Sequence, residues 1–177
     1  LDARAIGRVA DGRSNPQART RLLILPISAE VLGLSCESIA REMYWRDTYE
    51  RLSEEIGKGS TPIALDGFLL HLLETKEAED ASGAWNHAMA SYMFADLQWD
   101  AMASKAFAGL FGRSKQEIRQ SCVTQFKLAH DRFSAFATKV RSGAFGLEAG
   151  PAALIAARAD SMKAVAAEQL FSLALLN

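Results

Sequence analysis

The stretch that decides the fold is residues 114–142, SKQEIRQSCVTQFKLAHDRFSAFATKVRS. Ser114 and Glu117 have the S-x-x-E spacing of a capping box, in which each residue binds a backbone N–H of the other where a helix begins. Apolar residues then recur three or four positions apart: Ile118, Cys122, Phe126, Ala129, Phe133, Phe136 and Val140. This spacing follows the 3.6-residue period and predicts one long amphipathic helix with a buried stripe.

The same period continues on both sides of this helix. Upstream, a helix opening at Ser82 or Gly83 and ending near residue 111 carries an apolar surface broad enough for a central, mostly buried position. Its first stripe is Trp85, Ala88, Tyr92, Ala95, Trp99, Met102 and Ala106. A further long helix is predicted over residues 36–56. The last begins at Pro151 and faces inward with Ile155, Met162, Val165, Leu170 and Leu173.

No segment shows the period-2 alternation that is typical of a strand. We therefore predict an all-α protein, an antiparallel bundle of four long helices plus two or three short helices, with no sheet. The short helices are expected at 16–25, 28–33 and 62–77. Residues 1–15, rich in arginine and glycine, are predicted to be a flexible basic arm, and residues 16–177 a single helical-bundle domain.

Composition narrows the class of protein. Of 177 residues, 49% are hydrophobic, which fits a globular domain. No apolar run approaches the ~20 residues of a transmembrane helix, and no signal peptide is visible. We expect a cytoplasmic protein, or one secreted without a visible signal. The two cysteines, Cys36 and Cys122, lie far apart and are expected to be free thiols.

Charge is segregated along the chain, although the net charge is only −1. Residues 37–100 hold thirteen acids and five bases, whereas residues 113–141 hold seven bases and two acids. Pairing of helices within the fold would explain such polarity, and the same polarity would also suit a steered protein interface. The basic residues expected to contact a partner protein are Lys115, Arg119, Lys127, Arg132 and Lys139.

Catalytic signatures are missing from the sequence. It contains no G-x-S-x-G elbow, P-loop or dinucleotide fingerprint, and we lean against an enzyme. The histidines His71, His87 and His130 lie on three predicted helices, but the Glu-x-x-His pairs of a di-iron bundle are absent. We predict no metal and no cofactor. The leading hypothesis is a non-catalytic helical interaction or regulatory module, such as a domain of a larger regulator, effector or assembly factor.

A DNA-binding regulator is the first alternative. Residues 26–41, PISAEVLGLSCESIAR, resemble a helix-turn-helix, with Ala29 at the close approach, Gly33 at the turn and Ile39 in the second helix. The segment 26–44 would then contact DNA through Ser35, Glu37, Ala40 and Arg41. Acidic neighbours on the same face oppose phosphate binding. Nucleic acid is therefore a partner that we do not favour.

A small-molecule or metal-binding sensor or enzyme is the second alternative. Trp85, Met89, Tyr92 and Trp99 share the broad apolar surface of the central helix and could line a cavity between helices. Core packing is the simpler interpretation of that stripe. The sequence leaves open the identity of the partner and whether the protein forms a homo-oligomer.

Overall fold

The computed structural model describes residues 36–59, 63–76, 79–103 and 113–175, with side chains from Trp45 onward except at positions 46 and 103. Within these ranges the chain forms five helices and no strand. They are α1 (Cys36–Gly57), α2 (Leu65–Leu73), α3 (Ala81–Ala103), α4 (Lys115–Arg141) and α5 (Ala149–Leu175). The prediction of an all-helical protein with packed helices is confirmed for this part of the chain. The predicted arm 1–15 and the helices 16–25 and 28–33 lie outside it.

Helix α4 begins with the capping box that the sequence predicts. The Ser114 hydroxyl accepts from the Glu117 backbone N–H at 3.3 Å, and the Glu117 carboxylate accepts from the Ser114 backbone N–H at 2.7 Å. Every residue of the predicted stripe is buried, together with Ala137. The helix ends before Gly143, whose φ of 75° is a left-handed conformation that glycine adopts without strain.

Helix α3 is the centre of the described fold because it packs against α1, α2 and α4. Positions 81–98 are buried except for positions 83 and 87. The centroid of the Trp85 ring lies 5.3 Å from that of Phe133 and 5.5 Å from that of Phe136. The ring centroids of Tyr92 and Phe126 are 5.5 Å apart, and all three pairs are edge-to-face. None of the described helices is both long and apolar enough to cross a membrane.

Side-chain contacts give the relative direction of α3 and α4. Trp85 meets Phe133 near the start of α3, and the Cys122 thiol meets the Ala95 carbonyl further along. Residue numbers rise on one helix while they fall on the other, so the two helices are antiparallel. This is the arrangement expected of long helices that are neighbours in the sequence of a bundle.

Helices α1 and α3 run in the same direction. Tyr49 bonds to Asp96 and Ser53 bonds to Asp100, so residue numbers rise together along both helices. The short α2 lies between them in sequence and also packs on α3. An extra element in the connection allows the chain to return before α3 begins, which is why antiparallel order does not extend to this pair.

Two helix starts differ from the prediction. Helix α5 begins at Ala149, two positions before Pro151, which we expected to open it. Proline is tolerated there because the N–H groups of the first turn have no partner inside the helix. Helix α2 covers Leu65–Leu73, a shorter range than 62–77.

Candidate functional site

The five basic residues of α4 that the sequence offers as a partner surface have two different environments. Arg119 donates to the backbone carbonyl of Leu173 on α5. Arg132 donates to the His87 carbonyl at 3.2 Å and to the Ser91 hydroxyl, both on α3. Both arginines are half-buried. They stabilise the packing of α4 between its two neighbours.

The other three, Lys115, Lys127 and Lys139, are exposed. Each is twelve positions from the next, and at 3.6 residues per turn that interval rotates the side chain by about a third of a turn. The three ammonium groups therefore leave α4 in three directions. The structure does not bring the five basic residues together into one patch.

The aromatic and methionine residues of α3 lie in the core. Trp85, Met89 and Tyr92 are buried, and the half-buried Trp99 packs against the same cluster. The Arg158 guanidinium of α5 covers the Trp85 ring at 5.5 Å, a cation–π contact. These contacts support core packing, and a ligand pocket at these four positions stays a prediction.

A groove lies on the surface between α3 and α4. It encloses about 230 Å³. Its lining consists of Ala84, His87, Leu128, Asp131, Arg132, Ala135, Phe136 and Lys139. Asp131 is hydrogen-bonded to His130 at 2.9 Å, and Arg132 is held by α3. A groove of this size, open to solvent and lined by residues already engaged, is a weak candidate for a small-molecule site.

The three histidines occupy different surroundings. His71 packs edge-on against Trp45 at 5.9 Å, His87 lines the groove, and His130 pairs with Asp131. Among the described residues, no group of three or more His, Cys, Asp or Glu side chains could hold a metal ion.

The proposed DNA-binding segment falls mostly outside the described residues. Ser35 and residues 26–34 lie outside them, and the side chains of Glu37, Ala40 and Arg41 do as well. The backbone from Cys36 is helical without a break to Gly57. The DNA-binding alternative therefore stays a prediction.

A buried polar contact joins α1 to α3, and the sequence did not indicate it. The Tyr49 hydroxyl donates to the carboxylate of Asp96, and neither side chain is more than 1% exposed. One helical turn further along, Ser53 donates to the half-buried Asp100 at 3.3 Å. Burial, and then the negative charge of Asp96, raise the pKa of Tyr49 well above its ordinary value. The phenol is therefore a permanent donor at neutral pH.

The thiol of Cys122 lies in the same part of the core. It is fully buried and donates to the Ala95 carbonyl at 3.5 Å. Burial, and then the charge of Asp96, raise the pKa of this thiol to about 12. Since the thiolate is the nucleophilic form of cysteine, Cys122 is inert at neutral pH. Its contacts are those of a structural side chain.

The outer face of α5 carries exposed apolar residues along most of its length. Its inner face is buried through Ile155, Ala159, Met162, Ala166 and Leu173. A second set of residues, all exposed, repeats at 3-4 spacing on the opposite face. We call this set the outer stripe: Leu154, Ala157, Ser161, Ala164, Glu168, Phe171 and Leu175.

The outer stripe is apolar although it faces water. Leu154, Phe171 and Leu175 are 72%, 65% and 68% exposed, and Glu168 is the one charged residue among the seven. Exposed alanines at positions 153, 167 and 174 flank the stripe. An apolar band running most of the length of a 27-residue helix is longer than scattered surface hydrophobics would produce.

Sequence reasoning missed the outer stripe although the signal was present. Helix α5 has only four charged residues, Arg158, Asp160, Lys163 and Glu168. An amphipathic helix with one core-facing stripe normally carries charges over the rest of its surface. The shortage of charge on α5 was therefore evidence for a second apolar face.

Comparison with known proteins adds no relative, because no protein-family model, curated protein or solved structure matches this chain.

Proposed function

We propose that this chain is a non-catalytic helical module that binds a helix of a protein partner through the outer stripe of α5. The observation that carries the proposal is the exposure of the outer stripe. Its seven residues comprise three large apolar side chains, three small residues and a single charged residue. The proposal takes α1, α3, α4 and α5 as one bundle that presents α5 on its outside.

The spacing of the stripe indicates what kind of partner fits it. Alternating intervals of three and four residues are the a/d pattern with which one helix packs against another in a coiled coil. The small residues Ala157, Ser161 and Ala164 occupy the middle, where they allow close approach of a second helix. The large residues lie towards the two ends, where they insert beside it.

Binding of an acidic protein partner by the exposed lysines of α4 is a less well supported form of the same function. Lys115, Lys127 and Lys139 point in three directions, and an acidic partner would meet one or two of them at a time. Exposed charge pairs contribute little to affinity, typically about 0.2–1 kcal/mol each. A partner helix packed on the outer stripe would bury more apolar surface than one that contacts the lysines. Burial of apolar surface is the dominant favourable contribution to association.

Affinity capture from host-cell lysate with three baits tests the proposal. The baits are the wild-type chain, Phe171→Glu, and the matched control Ala135→Glu, which places the same charge on the exposed surface of α4. We expect proteins that the wild type and the control retain and that Phe171→Glu loses. Because Phe171 is 65% exposed, the variant should keep the helical circular dichroism of the wild type. Identical protein sets on all three baits, together with equal self-association of the three proteins, would contradict the proposal.

A further inference from the structure

We propose that the partner of the outer stripe is a second copy of this chain, packed antiparallel across a two-fold axis that passes beside Ala164. This inference rests on the proposed function and names the occupant of the same surface. It is drawn from the order of residues along the stripe, from the position of its one charge and from the length of α5.

The outer stripe is complementary to itself when it is reversed. A two-fold axis at Ala164 places that residue against its own copy, where two methyl groups allow the helices to approach closely. Moving outward by one step, Ser161 meets the partner's Glu168. The next step pairs Ala157 with the partner's Phe171, a small residue opposite the largest one.

The two ends of the stripe complete the match. Leu154 meets the partner's Leu175, so the two leucines that are most exposed on α5 cover each other at both ends. A C2 interface is isologous, and each unlike pair therefore occurs twice. The flanking alanines at positions 153, 167 and 174 leave room for the partner helix on one side of the stripe.

Charge distinguishes the antiparallel from the parallel arrangement. In a parallel pair aligned in register, Glu168 would face the partner's Glu168, and like charges directly opposite each other are unfavourable. In the antiparallel pair, Glu168 faces Ser161, a small polar residue whose hydroxyl donates to the Ala157 carbonyl at 3.0 Å within its own helix. The two glutamates are then about 12 Å apart along the axis, eight residues at 1.5 Å each.

The length of the stripe sets the strength of the interaction. From Leu154 to Leu175 the helix rises about 32 Å, and two such faces with their flanks bury on the order of 1,000 Å² in total, the lower end for specific interfaces. A dimer that dissociates in the micromolar range is the expected outcome.

Sedimentation velocity over a series of protein concentrations tests self-association. We expect the wild type to shift from monomer to dimer across the micromolar range. Ala164→Glu brings two carboxylates together at the axis and should weaken the dimer by at least about 30-fold, about 2 kcal/mol of association free energy. Ala135→Glu, the same change on α4, should leave dimerisation unaltered. A wild type that remains monomeric up to about 200 μM overturns the inference, as does dimerisation that Ala164→Glu leaves unchanged.

Disulfide trapping tests the antiparallel direction with cysteines placed at two exposed positions of α5. Ala157→Cys and Phe171→Cys, each made in a Cys36→Ser background and carrying a different tag, are mixed and oxidised. The antiparallel dimer predicts a disulfide between the two tags and none between two copies of Ala157→Cys. A disulfide between two copies of Ala157→Cys without one between the tags would overturn the antiparallel direction.

The two proposals can fail separately. If the wild type is monomeric while Phe171→Glu still loses captured proteins, a second copy is not the partner and the interaction module stands. If the wild type is monomeric and the three baits capture the same proteins, both are wrong.

Discussion

Replacing Tyr49 by phenylalanine removes one hydroxyl from the core and leaves the ring in place. The lost group is the donor to Asp96, a carboxylate that is 0% exposed. A hydrogen bond to a charged group contributes roughly 1.5–3 kcal/mol to stability. At pH 8 we therefore expect Tyr49→Phe to lower the free energy of unfolding by about 2 kcal/mol. For a chain of this length the melting temperature should fall by about 4–8 °C.

In alkaline solution we expect the stability advantage of the wild type over Tyr49→Phe to become smaller. Burial raises the pKa of Tyr49 well above 10 in the folded protein, whereas a tyrosine in the unfolded chain ionises with a pKa of about 10. Above pH 10 the unfolded chain therefore binds fewer protons than the folded protein. Wild-type stability consequently falls as pH rises, by up to about 1.4 kcal/mol per pH unit from this residue.

The variant lacks the titrating hydroxyl, so its free energy of unfolding does not fall for this reason. The difference in stability between wild type and Tyr49→Phe should therefore narrow by roughly 1.4 kcal/mol between pH 8 and pH 11. Urea unfolding followed by circular dichroism at both pH values measures that difference. Other titrating groups are common to the two proteins and cancel.

Ser53→Ala is the matched control for this prediction. Its partner Asp100 is half-buried and the hydrogen bond is 3.3 Å long, so the loss should be below about 1 kcal/mol and should not change with pH. A difference between wild type and Tyr49→Phe that stays constant or widens at pH 11 would show that Tyr49 does not remain protonated in the folded state, and would refute the reasoning.

Three further outcomes follow from single contacts of the structure. In a Cys36→Ser background, Cys122 should react with iodoacetamide at pH 8.5 at least about 100-fold faster in urea than in the native protein, since its thiol is buried and protonated; equal rates would contradict this. Gly67 is exposed within α2 and has open space where a Cβ would be added, so Gly67→Ala should raise the free energy of unfolding by about 0.5–1 kcal/mol. Gly143 has a φ of +75°, so Gly143→Ala should lower the free energy of unfolding by about 1–2 kcal/mol. Changes of the same sign in urea unfolding would refute this contrast. Ser114→Ala should cost about 1 kcal/mol by removing the cap of α4, and a melting temperature equal to that of the wild type would count against the capping box.

The sequence was sufficient for the parts of the fold that depend on local periodicity. The α4 stripe from Ile118 to Val140 is buried as predicted, and Ser114 caps that helix with Glu117. Both were predictable because the residue pattern that indicates them lies within a few positions along one helix. The existence and type of a long periodic helix are therefore well determined by its own residues.

The sequence was insufficient where a side chain's partner lies on another helix. The α4 arginines Arg119 and Arg132 had the same appearance as the lysines, a basic residue off the apolar stripe. Their bonds to Leu173 and Ser91 depend on how α3 and α5 pack against α4. The Tyr49–Asp96 contact across α1 and α3 has the same origin, because its partners are 47 residues apart.

The alanines of the outer stripe do not by themselves indicate a binding surface. Alanine has the highest helix propensity of all residues, and Ala157 and Ala164 could be present only to stabilise α5. That explanation does not extend to Leu154, Phe171 and Leu175. Phenylalanine is a poorer helix former than alanine, and each of the three leaves most of its apolar surface in water. The inner face of α5 already contributes a buried stripe to the core, so folding of the bundle does not require a second one. Association with another helix would remove these three side chains from water, which is why their positions, more than the alanines, favour an interface.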